Sequence, residues 1–175
     1  MTEGFVEHAG PCALPDGALL QRYVDSGAYT DCYCIDIDRD VAHARFVEAF
    51  YTTWVFRLER AVLVLVGKPS TDAQARALAA GRAEAFAAWT VEARADDELL
   101  LCDYRRRTRS WLMRATAPHG GTRLYFGSAV VPVDDARSGR RRLGAAFALL
   151  LGFHQIYSRV LLWAARARLQ RQLRG

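Results

Sequence analysis

The sequence predicts an α+β domain in which a curved antiparallel β-sheet wraps a long C-terminal helix, with short helices after the first strand. Three observations carry this. Four strand-length segments, FAAWTVEARA, ELLLCDY, TRSWLMRATA and TRLYFGSAVVPV, follow one another with turn material between them, which is the pattern of a meander. A helical stretch then runs from about Leu143 to Leu173. The chain has 175 residues, 51% of them hydrophobic and 25% charged, a length and composition suited to one globular domain.

Residues 1–28, with Pro11, Pro15 and several glycines, read as an irregular lead-in, and 29–175 as a single domain. In YTDCYCIDID, Tyr29, Asp31, Tyr33, Ile35 and Ile37 share one parity of a strand. Asp40 is placed to cap a helix from Val41 to about Tyr51, with Phe46, Val47 and Phe50 at helical spacing. Between Phe56 and Val66, strand and helix compete. Leu58, Val62 and Leu65 favour the helix, and Gly67 with Pro69 ends it. Thr71 or Asp72 then starts a short helix through Leu78.

Hairpin geometry extends the prediction to the faces of the sheet. A tight loop at 105–107 sets Asp103 opposite Arg109, Leu101 opposite Trp111 and Leu99 opposite Met113. A turn at 118–121 sets Met113 opposite Phe126 and Trp111 opposite Ser128. A three-residue loop at 95–97 sets Trp89 opposite Asp103 and Val91 opposite Leu101. One face then collects Trp89, Val91, Leu99, Leu101, Trp111, Met113 and Phe126, with Asp103, Arg109 and Ser128 as its polar members. A one-residue slip would reverse any strand of it. The opposite face, with Glu92, Arg94, Arg114 and Arg123, reads as solvent-facing, and Arg114 opposite Tyr125 as a surface cation–π pair. In the final helix Leu143, Phe147, Leu150, His154, Tyr157, Leu161 and Ala165 form one apolar stripe that must cover the sheet.

The order of elements, the TRSWLM and TRLYFGSAVVP strands, and FHQIYSRVLL in the last helix resemble the START-like, or helix-grip, superfamily. Its members include lipid-transfer domains, pollen allergens and polyketide cyclases. The resemblance covers roughly residues 29–170 and implies a cavity between sheet and helix that holds an apolar ligand. Five strands are predicted here, where that sheet usually has six or seven.

Composition narrows the function. Residues 1–104 hold 9 Lys and Arg against 17 Asp and Glu, whereas residues 105–175 hold 15 Arg against Asp134 and Asp135 alone. Such a split either signals contact with anionic lipid or nucleic acid, or neutralises itself as the halves interleave. No recognition motif supports base reading. The arginine triplets at 105–107 and 140–142 read as solvated turn charges or as phosphate holders. Cys12, Cys32, Cys34 and Cys102 contain no Cys-x-x-Cys pair, and the four histidines are scattered, so reduced thiols are expected and no metal or cofactor. The N-terminus is acidic and lacks an apolar core segment, and the longest plainly apolar run, 143–153, is too short to span a bilayer. A cytoplasmic location is expected. Gly67-Lys68-Pro69-Ser70 lacks the leading glycine of a phosphate loop, and Gly127-Ser128-Ala129 lies in a strand rather than at a nucleophile elbow.

The candidate ligand site comprises Trp89, Asp103, Arg109, Trp111, Phe126, Ser128, His154 and Tyr157. The aromatics would line a pocket or fill a core, and Asp103 with Arg109 would anchor a head group or form a plain cross-strand ion pair. His154 is the only catalytic candidate. It would serve a ligand as hydrogen-bond partner or acid/base group, or sit as a core histidine satisfied by Ser128. Three functions follow: binding of an apolar or amphipathic small molecule, cyclase- or aromatase-like catalysis on the same scaffold, or attachment to an anionic membrane through the basic end of the last helix.

Overall fold

The strand Tyr29–Ile37 (β2) pairs antiparallel along its whole length with Thr122–Val130 (β7), which joins the two halves of the chain near one edge of the sheet. In the computed structural model, residues 4–65, 67–131 and 145–174 are described, without the side chains of 145–153. The other elements are β1 (Gly10–Pro11), α1 (Gln21–Asp25), α2 (His43–Tyr51), α3 (Trp54–Leu65), α4 (Asp72–Ala79), β3 (Ala85–Phe86), β4 (Trp89–Ala95), β5 (Glu98–Asp103), β6 (Thr108–Thr116) and α5 (Ala145–Gln172). The strands form one open antiparallel sheet in the order β1-β2-β7-β6-β5-β4-β3. Two two-residue edge strands raise the expected five to seven. The polar stretch 134–142, its arginine triplet at 140–142 and Leu143 lie outside the described residues, as do the side chains of Phe147 and Leu150.

Local signals account for the helices. Thr71 caps α4 through a reciprocal pair with Gln74, the capping-box arrangement. Helix α2 starts two residues later than expected, at His43, without a side-chain cap. Asp40 is drawn off to Arg114 Nη1 at 2.9 Å. Helix α5 packs on β2, β7 and α2, and Leu161 and Ala165 of its predicted stripe are buried.

The strand registers correct the faces. Leu99 lies opposite Leu112, Leu100 opposite Trp111 and Cys102 opposite Arg109, one residue away from the predicted pairing. Across the next hairpin Leu112 lies opposite Phe126 and Trp111 opposite Gly127, again one residue away. The two shifts cancel between β5 and β7, so of these three strands only β6 is inverted. Ser110 and Leu112 face the helices, while Arg109, Trp111 and Met113 face the other way. The cause at the first hairpin is Asp103, whose Oδ1 accepts the backbone N–H groups of Arg107 (2.6 Å) and Thr108 (2.9 Å). The carboxylate thereby widens the turn, in which Arg106 takes φ +59°. A bulge between Val91 and Ala93 inverts the end of β4 in the same way.

The outer face is therefore a second core, not a solvent surface. Leu100, Trp111, Cys32 and Ala129 pack there against Ala18 and Leu20 of the N-terminal lead-in. Glu98 Oε2 fixes this cover by accepting the Trp111 indole N–H (2.7 Å) and the Leu19 N–H (2.8 Å). Arg123 is buried here too, with Nε and Nη2 on Asp36 at 2.7 and 3.0 Å. Gly127 admits the contact: a Cβ there would stand 2.8 Å from Leu20 Cδ2 and 2.9 Å from the Trp111 ring. Arg114 lies opposite Leu124, not Tyr125, and its guanidinium goes to Asp97 and Asp40, so the expected cation–π pair does not form.

Candidate functional site

Between the inner face of the sheet and the helices lies a cavity of about 420 Å³, partly open to solvent. The sheet contributes Trp89, Ser110, Phe126, Ser128 and Val130; α2 and α3 contribute Phe50, Phe56 and Glu59; α5 contributes His154, Tyr157 and Leu161. The walls are mostly apolar because β7 alternates: Leu124, Phe126, Ser128 and Val130 point inward while their neighbours pack outward. Phe50 stacks obliquely on Phe126 at 4.8 Å between ring centroids, and Phe56 lies 6.4 Å from Phe50.

Two polar clusters interrupt these walls. On the sheet side, Asp31 lies directly opposite Ser128 across the β2–β7 pair. Ser128 donates both its N–H (3.1 Å) and its hydroxyl (2.6 Å) to Asp31 Oδ1. His154 Nε2 stands 2.8 Å from Ser128 Oγ and 3.5 Å from Asp31 Oδ2. With the serine proton committed to the carboxylate, His154 donates to Ser128 rather than accepting from it. That polarity is the reverse of a serine-nucleophile arrangement, and Asp103 lies elsewhere, so Ser128, His154 and Asp103 do not assemble as a catalytic triad.

On the helix side, the Tyr157 hydroxyl donates to Glu59 Oε2 at 2.5 Å. Burial holds the Glu59 carboxyl above its ordinary pKa, against the opposing effect of the Tyr157 bond. Burial and the neighbouring Glu59 push the Tyr157 phenol up as well. Deeper in, the Tyr51 hydroxyl and Ser110 Oγ are 3.2 Å apart. The Trp89 indole N–H, also at the cavity wall, is buried without a hydrogen-bond partner.

The structure thus brings together Trp89, Phe126, Ser128, His154 and Tyr157 of the predicted site. It separates the other three. Trp111 is buried on the outer face because β6 is inverted. Arg109 borders the cavity, but its guanidinium turns outward to Glu92 Oε2 (2.5 Å) and the Tyr23 hydroxyl (2.6 Å). Asp103 holds the turn and makes no pair with Arg109. Asp31 and Glu59 were missed by sequence reasoning. Each carried a signal: a lone acid within an otherwise apolar periodicity, on a strand for Asp31 and on a helix for Glu59. Among the described residues no group of His, Cys, Asp and Glu could hold a metal ion, and no helix is long and apolar enough to cross a membrane. No protein-family model, curated protein or solved structure matches the chain.

Proposed function

We propose that this protein binds an apolar or amphipathic small molecule, lipid- or polyketide-like, between its sheet and its C-terminal helix, in the manner of the helix-grip proteins it resembles. The observation that carries this reading is an aromatic-walled cavity with two separate polar clusters. Its volume falls within the roughly 300–1,000 Å³ of small-molecule sites, which are typically apolar with a few polar fixtures. Phe50, Phe56, Phe126 and Trp89 supply the walls. Ser128 with His154, and Glu59 with Tyr157, supply fixtures for a hydroxyl or carbonyl. Binding is favoured over acyl transfer because Ser128 gives its proton to Asp31.

Native mass spectrometry of freshly purified protein, set against its denatured mass, tests the reading. A discrete excess mass that disappears on denaturation is expected. Phe126→Ala and His154→Ala should each weaken its affinity about tenfold, which corresponds to about 1.4 kcal/mol of lost contact, and lower the occupancy accordingly. A bare polypeptide mass, together with no uptake of a long-chain fatty acid or a naphthalene dye, would overturn it.

A further inference from the structure

Two helices beside the cavity expose apolar side chains to solvent. On α3, Trp54, Leu58, Val62 and Leu65 fall on one stripe, and Trp54 is 60% and Leu65 85% exposed. The helix buries only Val55 and Phe56 fully. On α5, Ile156, Val160 and Trp163 form a second exposed stripe, with Trp163 50% exposed. The Glu59–Tyr157 hydrogen bond ties the helices together, and Leu58 and Ile156 immediately precede those two cavity residues. The exposed stripes therefore flank the cavity on its helix side. Large exposed apolar patches mark interaction surfaces.

Charge identifies the occupant. The C-terminal end of α3 runs into Lys68, whose ammonium lies 5.4 Å from the Tyr104 ring centroid; Arg105 lies 5.3 Å from the same ring. Arg105, Arg106 and Arg107 are exposed in the β5–β6 turn, and no described carboxylate forms an ion pair with them or with Lys68. Arg107 also lines the cavity. The apolar ridge thus ends at two cations, Lys68 and Arg105, beside a half-exposed tyrosine, with Arg106 and Arg107 exposed in the same turn. Apolar and aromatic side chains with cations at headgroup level suit an anionic bilayer surface, whereas the core of a protein interface is depleted of charge. We propose that this face, α3 with the outer stripe of α5 and the 105–107 turn, docks on anionic phospholipid bilayers and brings the cavity to the membrane. It differs from the attachment expected through the basic end of α5, where Arg166 is engaged with the Glu7 carbonyl at 2.7 Å and with the Phe5 ring. The proposal does not depend on a ligand being found in the cavity.

Co-sedimentation of the full chain with phosphatidylcholine vesicles, with and without phosphatidylserine, reads it. Binding is expected only with phosphatidylserine and should weaken as salt is raised. Arg105→Glu with Arg106→Glu should lower it at least twenty-five-fold, at about fivefold per lost cation. Leu58→Glu with Val62→Glu should abolish it. All four positions are exposed, and unchanged circular dichroism will show that the variants fold. In the unmodified protein, brominated lipid should quench tryptophan fluorescence, and Trp54→Phe should remove part of that quenching. No vesicle binding, or binding indifferent to the α3 substitutions, would overturn the proposal. So would a concentration-dependent dimer that the α3 substitutions dissociate, since the patch would then be covered by a second copy.

Discussion

His43 begins α2 buried, with its Nε2 3.3 Å from the Leu112 carbonyl. Burial lowers its pKa from the ordinary 6.5 to about 4, against the raising effect of the Leu112 carbonyl and Asp97; Arg94 and Arg114 add to the lowering. The folded protein therefore carries this imidazole neutral at pH values where the unfolded chain protonates it. The sign follows: stability attributable to His43 is complete at neutral pH and is lost as pH falls from about 6.5 toward 4. At about 1.4 kcal/mol per pH unit, the full loss is about 3 kcal/mol, and about 2 kcal/mol of it appears between pH 7 and pH 5. His43→Gln keeps a donor for Leu112 and removes the titration. Urea unfolding of both proteins at pH 7, 6 and 5 isolates the effect, because every other group, Glu59 included, titrates in both. The difference in unfolding free energy between native chain and variant should shrink by about 2 kcal/mol from pH 7 to pH 5, or roughly 4–8 °C in Tm. A difference independent of pH would refute a buried neutral imidazole at position 43.

Trp111→Ala should cost about 3–5 kcal/mol by chemical denaturation yet leave ligand occupancy of the folded fraction unchanged, since the indole lies on the outer face. Gly121 has φ +75°, and a Cβ there would stand 2.2 Å from the Ile37 carbonyl oxygen, whereas Gly120 at φ +86° has open space. Gly120→Ala should therefore cost about 1–2 kcal/mol from backbone strain alone, and Gly121→Ala clearly more, as read by thermal melts. The Cys12 thiol is pushed up to about 12, chiefly by its hydrogen bond with Cys32. Its maleimide labelling at pH 7 should run about a thousandfold slower than that of an ordinary cysteine, because the thiolate is the nucleophile.

Much of the architecture was legible. Periodicity located β2, β4 to β7 and every helix from α2 to α5 to within two or three residues of their observed ends. Most of the face assignments were legible as well, because the alternation in β5 and β7 carries through undisturbed. What failed was register, and it failed for a local reason. Counting loop residues between hairpins assumes that backbone pairs close the turn, but Asp103 closes one with its side chain, and Gly121 at positive φ lengthens the next. Each moved a strand by one residue. The result turned β6 over and sent Trp111 and Arg109 to the far side, while Phe126 and Ser128 kept their place. The missed residues have a different cause. Asp31 and Glu59 acquire meaning only through Ser128, His154 and Tyr157, about a hundred residues away, and no local pattern states which distant side chain an inward acid will meet.

The pairing of β2 with β7 also sets the order in which the molecule can be built. Tyr29 meets Val130 and Ile37 meets Thr122, and apart from β7 the only strand bonded to β2 among the described residues is the two-residue β1. During synthesis β2 emerges early, yet Tyr33, Ile35 and Ile37 have no sheet to join until β7 has been made. The helices α2 to α4 and the hairpins from β4 to β6 can form meanwhile from contacts close in sequence. Closing so long a loop is entropically costly and comes before most of its contacts can reward it. Sequence separation thus favours the docking of an early strand onto a late one after the local hairpins have formed, and that docking creates the Asp31–Ser128 pair. The Asp31–Ser128–His154 cluster at the cavity wall therefore exists only once β2 and β7 have paired.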